Sequence, residues 1–255
     1  MTTISTGGFS RISFFNNGYI FVPLILMFIS AQPLAMYYLL FRGKLREILR
    51  DPQLTSFVLF TIIGFILISI TVGNINSETL FQVISALSTT GFSAINNKLL
   101  SDPAKFALSI LMIIGAGFGS TGGGLKQLRI VIIFKSILAN IKRLYMPKDA
   151  VIQVKIRDKV VPSFEIMFAY TLLGIYVIVL IVSAYIVSLY GYSIVDSFFE
   201  VSSALATTGL SVGISSPALP IIPKLILIID MWLGRVEIIP FIIVLTNLYY
   251  SIKKR

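Results

Sequence analysis

The 255-residue chain contains no cysteine and no histidine. The first absence excludes disulfides and thiolate chemistry. The second excludes most metal sites, general-base arrangements and Ser-His-Asp triads. No H-E-x-x-H, G-x-S-x-G or Walker pattern occurs, so the chain is not expected to be an enzyme. Charge is also scarce: 13% of residues are charged and 56% are hydrophobic, at a mean hydropathy of +0.92. A soluble domain of this length needs more polar surface than that, so the exterior is expected to face lipid. The first residues are Thr, Ser and Gly rather than basic and then apolar, which is not the pattern of a cleavable signal peptide.

What is present in quantity is uninterrupted apolar sequence. Residues 16–41, 54–73 and 166–193 carry no charge at all, and 104–141 and 219–250 are apolar with interruptions. A spanning helix needs roughly 20 such residues, so five spans are expected. Backbone in lipid must bond to itself, and no ten-residue alternating pattern supports a barrel, so the expected fold is an all-α polytopic membrane protein.

The basic residues are unevenly distributed. Arg42, Lys44, Arg46 and Arg50 follow the first span. Nine more lie between Lys126 and Lys159, and Lys253, Lys254 and Arg255 close the chain. The opposite ends of the spans carry only Arg11, Lys98, Lys105 and Lys224. The positive-inside rule puts the basic loops and the C-terminus in the cytoplasm, with the protein in the cell membrane. Contact with anionic membrane lipid is the expected use of this charge, and nucleic-acid binding is not expected.

On the outer side the chain repeats itself. Residues 78–93 and 196–211 align without gaps at an offset of 118 and are identical at nine of sixteen positions (81, 83, 85–87, 89–91 and 93). Both read as a half-helix, 78–88 and 196–206, too short to span and ending in Thr-Thr-Gly. A shorter copy, "ISTGGFS" at 4–10, aligns Gly8 with Gly91 and Gly209, and Thr6 with Thr89 and Thr207. Irregular backbone at membrane depth is tolerated only when buried or lining water, and internal repeats place sites where they meet. Loops converging on one axis would offer a ring of backbone carbonyls able to replace a cation's hydration shell. A plain helix-to-helix turn is the alternative for any single copy, but three aligned copies favour the ring.

Below these loops the long spans are disturbed. Six glycines fall within 115–124, in "GAGFGSTGGG", where a helix in hydrocarbon would lose about 1 kcal/mol per Gly relative to Ala. The readings are a mobile non-helical stretch blocking the inner path, or a helix-packing face through Gly115 and Gly119. At the matching depth the last span carries Asp230, Arg235 and Glu237, and the first carries Gln32 and Pro33. Arg235 either holds the 115–124 stretch by its carbonyls, or pairs with Glu237 or Asp230, or reaches the cytoplasmic interface.

The segments "STGGFS", "STTGFS", "ATTGLS", "GFGSTGGGLKQLRI" and "LGRVEIIP" closely resemble those of the TrkH/KtrB potassium transporters. That resemblance implies repeated M1–pore helix–filter loop–M2 units of a potassium-channel-like pore. It implies K⁺ held near Thr6, Gly7, Gly8, Thr89, Thr90, Gly91, Thr207, Thr208 and Gly209. It implies a gating loop of Gly115, Gly117, Gly119, Ser120, Thr121, Gly122, Gly123 and Gly124, touched by Arg235. The family further implies a homodimer and a cytoplasmic nucleotide-binding ring of the TrkA/KtrA type. ATP or NAD would bind that ring, with no cofactor on this chain and K⁺ as the transported ion. The segment 135–159 could meet the ring. Residues 1–50 correspond to the end of a second repeat, 51–159 to a third and 160–255 to a fourth. The chain is therefore expected to be N-terminally incomplete, starting at the second filter loop and supplying three of four. The function expected is K⁺ uptake through a carbonyl filter. The alternative is a non-conducting membrane subunit or truncated remnant that only binds partners.

Overall fold

A computed structural model of the chain describes residues 2–9, 20–73, 75–147, 152–157 and 159–236. Glu237 and the basic C-terminus lie outside the described residues. Ten helices account for most of what is described: α1 (Phe21–Ser30), α2 (Leu34–Phe41), α3 (Leu45–Leu49), α4 (Pro52–Val72), α5 (Ser77–Leu87), α6 (Asp102–Ile114), α7 (Gln127–Tyr145), α8 (Ser163–Ser188), α9 (Ile194–Leu205) and α10 (Ile221–Val236). One departure from helix lies in the basic segment. Lys155–Ile156 and Lys159–Val160 pair as a two-residue antiparallel ladder.

Two helices, α4 and α8, are long and apolar enough to cross a membrane, and only 28% of each apolar window is buried inside the protein. Their outward faces are aliphatic and exposed (Leu59, Ile62 and Ile66; Ile178, Ile181 and Val182), which fits contact with acyl chains. Asp51 opens α4, its carboxylate accepting the Gln53 N–H at 2.9 Å ahead of a proline in the first turn.

Two of the expected spans take a different form. The 16–41 stretch is not one helix: α1 and α2 meet at 97° across Ala31–Pro33. Pro33 has extended backbone (ψ 138), and a helix cannot continue through its ring. The 104–141 stretch divides into α6 and α7 around an irregular segment holding the glycines. The packing-face reading of Gly115 and Gly119 needs helix there, and there is none.

The short helices sit inside. In α5 every residue from Phe81 to Leu87 is buried, and in α9 every residue from Phe199 to Leu205. α5 packs on α1, α4 and α6, while α9 packs on α6, α8 and α10. Each carries polar residues on its buried faces, so internal partners must satisfy them. An ion pair also joins α6 to α9: Lys105 reaches Asp196 at 2.7 Å, with the Lys side chain 8% and the Asp 30% exposed. Asp196→Asn is expected to cost about 2 kcal/mol, below the roughly 3–5 kcal/mol of a fully desolvated pair because Asp196 is partly solvated. An unchanged unfolding midpoint in detergent micelles would remove this pair from the account.

Candidate functional site

The C-terminal ends of α5 and α9 and the segment at Thr2–Gly8 finish in the same backbone geometry. Thr89 and Thr207 each donate N–H to the carbonyl three residues back (Ala86 at 3.2 Å, Ala204 at 3.0 Å). Thr90 and Thr208 donate five residues back (Ser85 at 3.1 Å, Ser203 at 2.8 Å). In the first copy Thr6 bonds Thr3 at 3.2 Å and Gly7 bonds Thr2 at 2.8 Å, the same two steps. Thr6, Thr89 and Thr207 have φ of 50, 54 and 53°, a region β-branched residues rarely enter. Gly8, Gly91 and Gly209 follow at positive φ. The repeat in the sequence is therefore a repeat in conformation.

These loops are gathered together. A Cβ on Gly8 would stand 2.5 Å from the Thr90 carbonyl oxygen, and one on Gly91 would stand 2.0 Å from that of Thr208. A Cβ on Gly209 would meet none of the described residues within 4 Å. The three loops thus form an arc in chain order, Gly8 to Gly91 to Gly209, open beside Gly209. A cavity of about 510 Å³ lies on that open side, between Thr6 and Gly7 on one flank and Thr207, Thr208 and Gly209 on the other. The buried Thr208 hydroxyl has no hydrogen-bond partner among the described residues. Hydroxyl-bearing residues and loop backbone dominate the cavity lining, which also includes Glu200 and Arg235.

The segment 115–124 passes under all three loops. Thr121 joins the Thr6 loop: its hydroxyl donates to the Ile4 carbonyl at 2.9 Å, and its carbonyl accepts from the Thr6 hydroxyl at 3.0 Å. Gly123 joins the Thr89 loop by donating N–H to the Thr89 hydroxyl at 2.7 Å. It also abuts the Thr207 loop, where an added Cβ would stand 2.0 Å from the Ala206 carbonyl oxygen. Arg235 donates to the Thr121 carbonyl at 3.1 Å. Asp230, offered as its alternative partner, instead accepts from Ser183 at 2.9 Å on the far side of α10.

The remaining residues of this segment are tied to the scaffold. Gly117 donates to the Ala31 carbonyl at 2.8 Å, which occupies the break between α1 and α2. The Gly115 carbonyl accepts from the Gln127 amide at 2.8 Å, and that of Gly122 from the Lys126 ammonium at 2.5 Å. Ser120 donates to the Gly117 carbonyl at 2.7 Å. Gly124 is wedged against Gly115, and Gly119 faces open space.

Sequence reasoning missed four contributors. Gln53 accepts the Phe118 N–H at 2.8 Å, and Gln127 also accepts from Ser56 at 2.6 Å, so α4 holds both ends of the glycine segment. Gly234 lets α10 lie against the end of α9, since a Cβ there would fall 1.9 Å from the Leu205 carbonyl oxygen. Glu200 lies behind the Thr207–Gly209 loop, where its carboxylate takes three hydrogen bonds. The only signals available were a glycine preceding Arg235 and a polar residue at matched positions of the repeat, Gln82 and Glu200.

Comparison with known proteins places this geometry in context. The family model described as TrkH, cation transport protein, matches residues 52–251. An uncharacterized cation transporter of Methanocaldococcus jannaschii is 34% identical over 255 residues, covering 98% of this chain and 53% of that protein. The Trk system potassium uptake protein TrkH of Escherichia coli is 28% identical over 268 residues, covering 97% of this chain and 55% of its own length. The crystal structure of the potassium transporter TrkH from Vibrio parahaemolyticus superposes with a TM-score of 0.84 at 24% identity, covering 98% of this chain and 57% of that one. The chain spans about half the length of the relatives it matches.

Proposed function

Because the chain belongs to the TrkH family of cation transport proteins, we propose that it lines a path for K⁺ across the cell membrane, with Thr6–Gly8, Thr89–Gly91 and Thr207–Gly209 as filter loops. The observation that carries this reading is the arc in which the Gly8 and Gly91 backbones lie against the next loop's carbonyl. Carbonyl dipoles so placed exchange for water around a large, weakly hydrated cation at low cost. In this reading 1–50, 51–159 and 160–255 are parts of successive M1–pore helix–filter–M2 repeats. One further loop of the same kind fills the open side beside Gly209. The basic segments face the cytoplasm, where Arg157 pairs with Asp51 at 2.5 Å. A homodimer with a nucleotide-binding ring against those segments completes the assembly, the nucleotide residing on the ring.

The segment 115–124 is the barrier of this path. It crosses directly under the loops, and its hydrogen bonds to them are few and individually weak, about 1 kcal/mol each. Arg235→Ala removes the bond to Thr121 and is expected to raise resting flux several-fold, as a loss of 1–2 kcal/mol on the closed state implies. Resting flux equal to that of the unsubstituted protein would remove Arg235 from the barrier.

The test of the whole reading is Rb⁺ and K⁺ uptake into proteoliposomes of the transporter carrying this chain, with Na⁺ as the competing ion. Uptake that prefers K⁺ and Rb⁺ over Na⁺ is expected. Uptake no greater than in protein-free liposomes would favour a membrane subunit that only binds partners.

A further inference from the structure

Behind the third and fourth filter loops sits a matched pair of side chains that differ in charge. Gln82 of α5 and Glu200 of α9 are separated by the repeat offset of 118, and both are buried, at 0% and 2% exposure. Gln82 accepts the Ala94 N–H at 3.1 Å and donates to the Asn97 side-chain oxygen at 2.7 Å. Glu200 accepts the Val212 N–H at 3.1 Å, the Ser215 N–H at 3.0 Å and the Ser211 hydroxyl at 2.7 Å. Val212 and Ser215 are the counterparts of Ala94 and Asn97 at the same offset. One device thus pins the chain leaving each filter glycine, built once as a neutral amide pair and once as a carboxylate with three donors.

We infer that Glu200 is a positioning residue that sets cation affinity at the fourth loop. It fixes residues 211–215 just past Gly209, and it puts an anionic group on the wall of the cavity shared with Thr207, Thr208 and Arg235, where it offsets the guanidinium charge. Its partners among the described residues are all donors, the pattern that a carboxylate satisfies and an amide cannot. Buried among backbone, its charge is poorly screened and reaches the adjacent lining. Among the described residues the third loop has no such charge behind it, its counterpart being Gln82. The cation is therefore held unequally, more tightly toward the fourth loop. This inference rests on the K⁺ reading and names the residue that tunes it.

The experiment measures apparent K⁺ affinity twice, by the K⁺ dependence of thermal stability in detergent and by flux, together with the K⁺/Na⁺ ratio. Glu200→Gln is expected to weaken K⁺ affinity roughly five- to ten-fold and to lower the ratio, since an amide sets a donor against the Ser215 N–H. Adding Ser215→Asn to Glu200→Gln rebuilds the third-loop pair. This should restore the ratio while affinity stays weak, because the charge is still missing. Gln82→Glu is expected to tighten affinity, with Asn97 turning its amide to donate. Unchanged affinity in both Glu200→Gln and Gln82→Glu, in a protein whose unsubstituted form binds K⁺, overturns the inference alone. Full recovery of affinity in the double variant also overturns it, by reducing Glu200 to a brace. Absence of any K⁺ effect on the unsubstituted protein, in stability and in flux, overturns the K⁺ reading and this inference together.

Discussion

Serine at position 91 is expected to abolish most K⁺/Na⁺ discrimination while flux remains measurable. The added Cβ would lie 2.0 Å from the Thr208 carbonyl oxygen and 3.3 Å from the Gly209 Cα, both backbone atoms with no rotamer to relieve them. Gly91 also has φ of 85°, where a side chain costs of order 1–3 kcal/mol. Either the Thr89 or the Thr207 loop must give way by roughly 1.4 Å or more to restore ordinary van der Waals contact. Carbonyls displaced that far no longer suit one ion size over another. A ten-fold change in selectivity needs only about 1.4 kcal/mol, so a loss of at least that size is expected. Competition of Na⁺ against Rb⁺ uptake checks it, and an unaltered ratio would show that the arc does not select.

Alanine at position 123 should have the opposite emphasis, with resting flux raised by an order of magnitude or more and a smaller fall in selectivity than serine at position 91. Gly123 is the point at which the barrier segment touches two loops at once. It donates to the Thr89 hydroxyl, and its Cα faces the Ala206 carbonyl at a distance that a methyl group cannot share. The lining is fixed by buried α9, whereas the barrier is held mostly by single hydrogen bonds, so the barrier is the part that yields. A closed state weakened by 2–3 kcal/mol corresponds to a roughly 30- to 150-fold shift in the closed-to-open balance. Single-channel or proteoliposome recordings decide the matter. Reduced flux, or a fall in selectivity with no gain in flux, would mean that the fourth loop moved instead and that 115–124 is not the weaker partner.

Much of this architecture was legible from residues alone, and the reasons are local. Charge-free runs mark α4 and α8 because lipid demands them over a fixed length. The two half-helices, expected over 78–88 and 196–206, occupy Ser77–Leu87 and Ile194–Leu205, since each ends where Thr-Thr-Gly must leave helical geometry. The break in 104–141 follows from glycine density. What escaped is whatever depends on a distant partner. A disturbance of the first span at Gln32 and Pro33 was legible, but not its 97° angle, because among the described residues the Ala31 carbonyl is bonded by Gly117, 86 positions away (117 minus 31). Gln53, Gln127 and Glu200 are single polar residues whose partners no periodicity reveals. The hairpin at 155–160 is too short to alternate visibly.

The threonines at positive φ carry one last implication. The Thr89 hydroxyl donates to the Ser88 carbonyl and accepts from Gly123, and the Thr6 hydroxyl divides itself between Ser5 and Thr121. Two of the three uncomfortable backbones are thus steadied by the very segment proposed as the barrier. Permeation and discrimination then trade against each other within a single molecule: the faster a protomer conducts, the less firmly it can tell one alkali metal from another. A variant such as Arg235→Ala that leaks without any drop in K⁺ preference would break that bargain.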